Sequence, residues 1–249
     1  MLNHPSIEKL NALKLTGMAK AFREQTQTRD IGSISFEERL GLMIDREMTE
    51  RENRRMALRM KQAKLREQAS FENIDYKTAR GLDRQLMMSL AACQWVKNRQ
   101  NILISGPTGA GKTYIACALA HKACLEGYTA VYHRLPRLLT ELETAKADGR
   151  YGRLLKTFGK TDVLILDDLG LVPVTSQNRR DLLELVEDRH GSRSTIIASQ
   201  LPVNKWHNAI GDPTLADAIL DRLAHNAHKI TMKGESMRKT GSKLTNPGG

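Results

Sequence analysis

Residues 101–120 read NILISGPTGAGKTYIACALA: a short apolar run, a glycine-rich turn, then an apolar stretch long enough for a helix. Inside it GPTGAGKT, Gly106 to Thr113, satisfies G-x-x-x-x-G-K-[ST] in full and lies between a strand signal and a helix signal, the context that gives the pattern its meaning. Glycines at 106, 109 and 111 let successive backbone N–H groups turn inward, and the start of the next helix adds potential favourable to an anion. The stretch therefore predicts a phosphate cradle built from Gly106, Pro107, Thr108, Gly109, Ala110, Gly111, Lys112, Thr113 and Tyr114. Lys112 can reach the β- and γ-phosphates of a nucleotide, and Thr113 can ligate Mg²⁺.

Downstream, strand and helix signals alternate: strands over 101–105, 128–133, 162–166, 194–199 and 228–232, with helices over 112–126, 136–147, 177–190 and 214–226. Several of these strands are apolar throughout, as expected when helices cover both faces of a sheet. The fold class expected is α/β, with about five parallel strands sandwiched by helices. Upstream, residues 6–30 and 35–67 read as helices with apolar residues such as Leu40, Ile44 and Met48 at helical spacing. Ser35 and Glu38 form a capping box for the second, and Gly32 lies in the break before it. A further helix is expected over 85–97. The expected organisation is a helical domain over 1–67, an α/β domain over 68–239 and a flexible polar tail over 240–249. The 17 residues after the last strand read as too few for a full C-terminal helical lid.

The chain has 249 residues, 40% of them hydrophobic, enough for one sizeable core and a smaller appendage. It contains no apolar run long enough to span a membrane and no secretory signal pattern, so a cytoplasmic protein is expected. Cys117, His121 and Cys124 share a helical face and could hold a metal, although their apolar surroundings favour buried thiols. Residues 1–95 carry 17 basic and 13 acidic groups, 96–221 carry 16 and 14, and 222–249 carry 6 and 1. The surplus sits in the flanks and points to a polyanionic partner, most often nucleic acid. Within RENRRMALRMKQAKLR, residues 51–66, seven basic groups face one acid. Arg51, Arg54, Arg55 and Arg59 are the candidate DNA contacts, beside the plainer reading of a solvated helix face.

The stretch LILDDLG, Leu164 to Gly170, ends an apolar strand in two carboxylates. If its strand neighbours that of the phosphate loop, Asp167 stands where it can support Mg²⁺. Asp168 then faces the γ-phosphate, where it can orient water. D-x-x-G also occurs in GTPases, but guanine selection needs N-K-x-D, and NKWH at 204–207 has His where that Asp belongs. Farther along, Ser199 and Gln200 end a strand at a position able to sense a γ-phosphate. Arg222 falls on a helix and Arg238 near the C-terminus, either a surface arginine or a cation for a phosphate.

The order of these features resembles the AAA+ ATPases of the initiator and helicase-loader branch. IDYKTARGLD, GPTGAGKTYIACALA, VLILDDLG, RRDLLELVEDRHGSRSTIIASQLP, GDPTLADAILDRLAHNAHKI and KGESMRK are similar to the IstB family, the helper ATPases of insertion sequences. The resemblance implies ATP and Mg²⁺ at Lys112 and Thr113, metal support from Asp167 and water activation by Asp168. It further implies Gln200 as sensor 1, Arg222 as arginine finger and Arg238 as sensor 2. Most AAA+ proteins have Glu where Asp168 stands, so slow basal hydrolysis is expected. The resemblance also implies assembly on double-stranded DNA as a homo-oligomer in the presence of ATP, and stimulation of a partner transposase. A replicative helicase loader of the DnaC type, a small-metabolite kinase and a DNA-binding adaptor with an inactive site are the alternatives. Ile74 and Tyr76 are a guess for adenine contacts.

Overall fold

A computed structural model describes residues 4–28 and 31–234. The chain divides into two compact units, Met1–Leu58 and Arg59–Gly249.

The first unit holds α1 (Pro5–Ala12), α2 (Thr16–Gln27) and most of α3 (Phe36–Ala63). The single helix expected over 6–30 is broken because Lys14 adopts a left-handed backbone (φ 59°) that no helix can continue through. The capping box forms as read: the Glu38 N–H donates to Ser35 Oγ at 3.2 Å, and the Ser35 N–H donates to Glu38 Oε2 at 3.1 Å. Spacing would bury Ile44 and Met48, yet they are 45% and 65% exposed. The buried contact runs instead through Gly17 and Glu47. Gly17 lets α2 approach so closely that a Cβ there would lie 2.6 Å from the Glu47 Cα. Glu47 Oε2 then accepts the N–H groups of Gly17 and Met18, at 2.7 and 3.2 Å, capping α2 from another helix.

In the second unit, residues 59–63 finish α3 and pack with the α/β core, with Ala63 fully buried. There follow α4 (Arg84–Ala91) and α5 (Gln94–Lys97), separated at Cys93, whose φ of 54° interrupts the helix expected over 85–97. The strands are β1 (Asn101–Ser105), β2 (Ala130–Arg134), β3 (Val163–Leu169), β4 (Ser194–Ser199) and β5 (Ala227–Thr231). All pair in parallel in the order β2-β3-β4-β1-β5. The intervening helices are α6 (Lys112–Leu125), α7 (Leu135–Ala147), α8 (Tyr151–Lys160), α9 (Ser176–Arg189), α10 (Trp206–Ile210) and α11 (Pro213–Ala224).

Two apolar cores, one on each face, explain the unbroken hydrophobic strands. Ile102, Ile104, Ile165 and Ala198 pack toward α6, while Leu103, Leu164, Leu166 and Ile197 pack in the core shared by α7, α8, α9 and α11. The sequence reading passes over α8, whose two glycines mask a strongly one-sided helix that buries Leu155 and Phe158, and the short α10, which buries Trp206.

Gly17→Ala forces Cβ onto backbone atoms and is expected to lower stability by about 1–3 kcal/mol, read as a lower urea midpoint. The Arg51 hydrogen bond, helped by the N–H groups of Met18 and Gly17 and opposed by desolvation, holds the Glu47 carboxyl below the usual carboxylate range. A depressed pKa gives stability that is present above the unfolded value of about 4.3 and lost as pH falls through the folded one. Glu47→Gln is therefore expected to flatten the acid side of the pH–stability curve.

Candidate active site

The phosphate loop leaves β1 at Gly106, where φ is 150° and a Cβ would meet the Met232 carbonyl at 2.4 Å. Gly109 and Gly111 also have positive φ, 82° and 96°, and a Cβ on Gly111 would crowd the Arg80 guanidinium at 2.8 Å. Only glycine permits both the turn and these close approaches. Buried Arg80 braces the loop from behind, donating to the carbonyls of Ala110 (3.4 Å) and Asp75 (2.6 Å). Lys112 donates to the Pro107 carbonyl at 2.8 Å, which holds its ammonium across the loop.

The condition that β3 neighbours β1 is not met, because β4 stands between them. Asp167 nevertheless meets the loop, since α6 starts at the loop and packs against β2, β3 and β4. Thr113 Oγ1, in the first turn of α6, donates to Asp167 Oδ2 at 2.8 Å. A bulge on β3 aids this placement: Leu166 pairs with Ile197 and Leu169 with Ser199, so three steps along β3 answer two along β4. The bulge puts Asp168 at φ 67°, a conformation that Asp tolerates better than Glu does. Asp167 Oδ2 also accepts the Tyr132 hydroxyl at 2.8 Å, and Oδ1 accepts the Asp168 N–H at 2.9 Å. Arg134, opposite Asp167 in the register of β2 and β3, donates through Nε to Asp168 Oδ2 at 2.6 Å.

A hydroxyl and a carboxylate converging in this way are the hard oxygen donors that Mg²⁺ takes, completed by phosphate and water oxygens. Among the described residues no group of three His, Cys, Asp or Glu is placed to hold a metal ion. Cys117 and Cys124 are buried, and burial pushes the Cys124 thiol up to about 11, which keeps it protonated at neutral pH.

Gln200 is brought to the loop, its Oε1 accepting the Thr108 hydroxyl at 2.8 Å, whereas Ser199 is turned inward onto the Leu169 carbonyl. Arg222 lies at the other end of the sheet: its carbonyl accepts Asn101 Nδ2 at 3.3 Å where β1 begins, and Nη2 pairs with Glu187 at 2.6 Å. Arg238 and the 240–249 tail fall outside the described residues. Ile74 is core, while Tyr76 is half-buried with Arg84 5.8 Å above its ring. Trp206 of NKWH is buried and donates to the Leu201 carbonyl, so that stretch is a packed turn. On α3, Arg51 and Arg54 pair with Glu47 at 2.8 and 3.6 Å, Arg55 is exposed, and Arg59 Nε donates to the Cys124 carbonyl at 3.0 Å.

The IstB-like ATP binding protein family matches residues 8–245. The chain belongs to this family. It is 53% identical over 239 residues to a protein of Sinorhizobium fredii named an insertion sequence ATP-binding protein, covering 96% of this chain and 98% of the relative. A Pseudomonas fluorescens protein named for insertion sequence IS1162 is 48% identical, covering 81% and 88%. Among solved structures, DnaI aligns with TM-score 0.58 at 22% identity over 66% of this chain and 91% of that one. The DnaC helicase loader aligns at 0.56 and 18% over 66% and 97%. These last likenesses speak for the fold alone. The chain is thus a P-loop ATPase of this family, whose core shares its fold with these solved structures.

Arg80, Tyr132 and Arg134 complete the site and were not among the residues expected from sequence. Their signals were faint, since Arg134 becomes relevant only once the register of β2 on β3 is known. Asp168→Asn keeps a residue suited to the left-handed backbone and is expected to lower steady-state ATP turnover about 10²–10⁴-fold with nucleotide binding intact. Turnover unchanged in this variant would remove Asp168 from the base role.

Proposed function

We propose that this chain is the ATP-driven helper of an insertion sequence. In this reading it binds duplex DNA largely without reading its sequence, assembles on it as a cytoplasmic homo-oligomer when loaded with ATP and Mg²⁺, and assists a partner transposase. The N-terminal helices contribute DNA contact and assembly surface, and the residues after them form the ATPase domain. Support comes from the family, from the names of the relatives, and from the cations of α3. Arg51, Arg54 and Arg55 are half or more exposed, with side-chain exposures of 50%, 51% and 70%. Such contacts reach phosphates and position a protein without choosing bases.

Inside one site, Lys112 would neutralise the β- and γ-phosphates and Thr113 with Asp167 would hold Mg²⁺. Asp168 would draw a proton from the attacking water while Gln200, held by Thr108, orients the γ-phosphate side. The observation that carries the assembly part is the position of Arg222. A five-residue strand spans about 15 Å, so a side chain at the start of β1 cannot reach the loop at its end. Its charge is available to a neighbouring copy. Leaving Glu187 is inexpensive, because exposed ion pairs contribute about 0.2–1 kcal/mol.

Electron microscopy of the protein with duplex DNA and a slowly hydrolysed ATP analogue is expected to reveal a nucleoprotein oligomer; monomers beside bare DNA would refute the proposal. Binding that prefers single strands would move the assignment toward helicase loading. Arg222→Ala is expected to retain nucleotide binding and lose DNA-stimulated turnover, on the order of 10³-fold by analogy with other arginine fingers. Full stimulation in that variant would sink the shared-site reading.

A further inference from the structure

The basic run 51–66 does not end on α3. Lys64 and Arg66, just past the helix, line a cleft of about 450 Å³ together with Tyr132, His133, Arg134, Arg137 and Glu141. Four permanent cations line it with one carboxylate, Glu141; Arg134 is already paired with Asp168, which leaves three, and burial keeps His133 below its ordinary pKa. Lys64 and Arg137 are exposed and have no carboxylate partner among the described residues. The cleft therefore suits an oxyanion, and guanidinium groups suit phosphate oxygens in particular. It adjoins the catalytic carboxylates through a second feature: Arg66 hydrogen-bonds the Tyr132 hydroxyl, which donates in turn to Asp167 Oδ2, the oxygen shared with Thr113.

We infer that this cleft takes a backbone phosphate of duplex DNA, and that Arg66 conveys its occupancy through Tyr132 to Asp167. The inference rests on the DNA-binding reading above. It commits to DNA because Lys64 and Arg66 continue the same basic run as the α3 arginines. A donor onto the Tyr132 oxygen polarises its O–H and strengthens the hydrogen bond to Asp167, as linked hydrogen bonds do. A phosphate that draws Arg66 away relaxes that hold and leaves Oδ2 freer to serve Mg²⁺. Arg66 and Tyr132 are positioning residues here.

Two binding measurements on the full chain test this. First, duplex DNA affinity is followed by fluorescence anisotropy across salt concentrations, with ATP analogue and Mg²⁺ present. The double variant Lys64→Ala, Arg137→Ala is expected to bind more weakly, with the salt slope reduced by about 2, one per lost phosphate contact. Second, Mg²⁺ is titrated against binding of a fluorescent ATP analogue, with and without DNA. DNA should lower the Mg²⁺ midpoint of the wild type and leave it unmoved in Arg66→Gln and in Tyr132→Phe, while Arg66→Lys keeps part of the shift. An unchanged slope in the double variant overturns the cleft and leaves the α3 contacts standing. A DNA-induced shift that survives in Arg66→Gln overturns the relay. Wild type that binds no duplex DNA removes both this inference and the function on which it rests. An acidic peptide that occupies the cleft when DNA of matching charge does not would reassign it to a protein partner and overturn the inference.

Discussion

The Asp167 carboxylate, 2% exposed, is the interaction on which the active site depends. A buried carboxylate without partners carries a desolvation penalty of several kcal/mol, so it persists only where donors surround it. Thr113 supplies one from α6, Tyr132 one from β2, and the Asp168 N–H one from β3 itself. Three elements far apart in sequence are thereby fixed on one pair of oxygens. The arrangement also accounts for how β3 serves a loop on β1 across an intervening strand: the helix, rather than strand pairing, brings Thr113 to it.

The same region resolves why Asp occupies position 168. The extra residue in the β3 bulge takes a left-handed backbone, where a short polar side chain is tolerated and a longer one is strained. The shorter carboxylate is then held by Arg134 at 2.6 Å, 32% and 17% of the two side chains remaining exposed. This contact points the carboxylate toward β2, and it must be released before Asp168 can turn to a water.

The phosphate loop and its flanking strand and helix were legible in sequence because local chemistry dictates them: glycines where φ must be positive, a lysine and a hydroxyl at the helix start. β1 and β4 begin and end where the apolar runs do. Less legible were features set by tertiary contact. Strand order cannot be read from alternation, which hid Arg134. The apolar spacing of Ile44 and Met48 suggested burial, yet Glu47 makes the contact, because Gly17 brings the backbones too close for large side chains. Breaks at Lys14 and Cys93 fall at residues that do not usually signal one, since a left-handed helix end most often takes glycine.

Three side chains that the loop could offer a nucleotide already have internal partners: Lys112 the Pro107 carbonyl, Thr108 the Gln200 amide, Thr113 the Asp167 carboxylate. At these side chains a triphosphate exchanges hydrogen bonds rather than adding them, and the net gain per exchange is about 0.5–1.5 kcal/mol, or roughly twice that to a charged group. The energy of the triphosphate is therefore divided between affinity and rearranging the links to β3 and β4. Because those links run to Asp167 and Gln200, and from Asp167 to Tyr132 and Arg66, a nucleotide and the proposed occupant of the cleft would act on the same side chains. Any preference of one for a particular arrangement must, by linkage, be returned by the other.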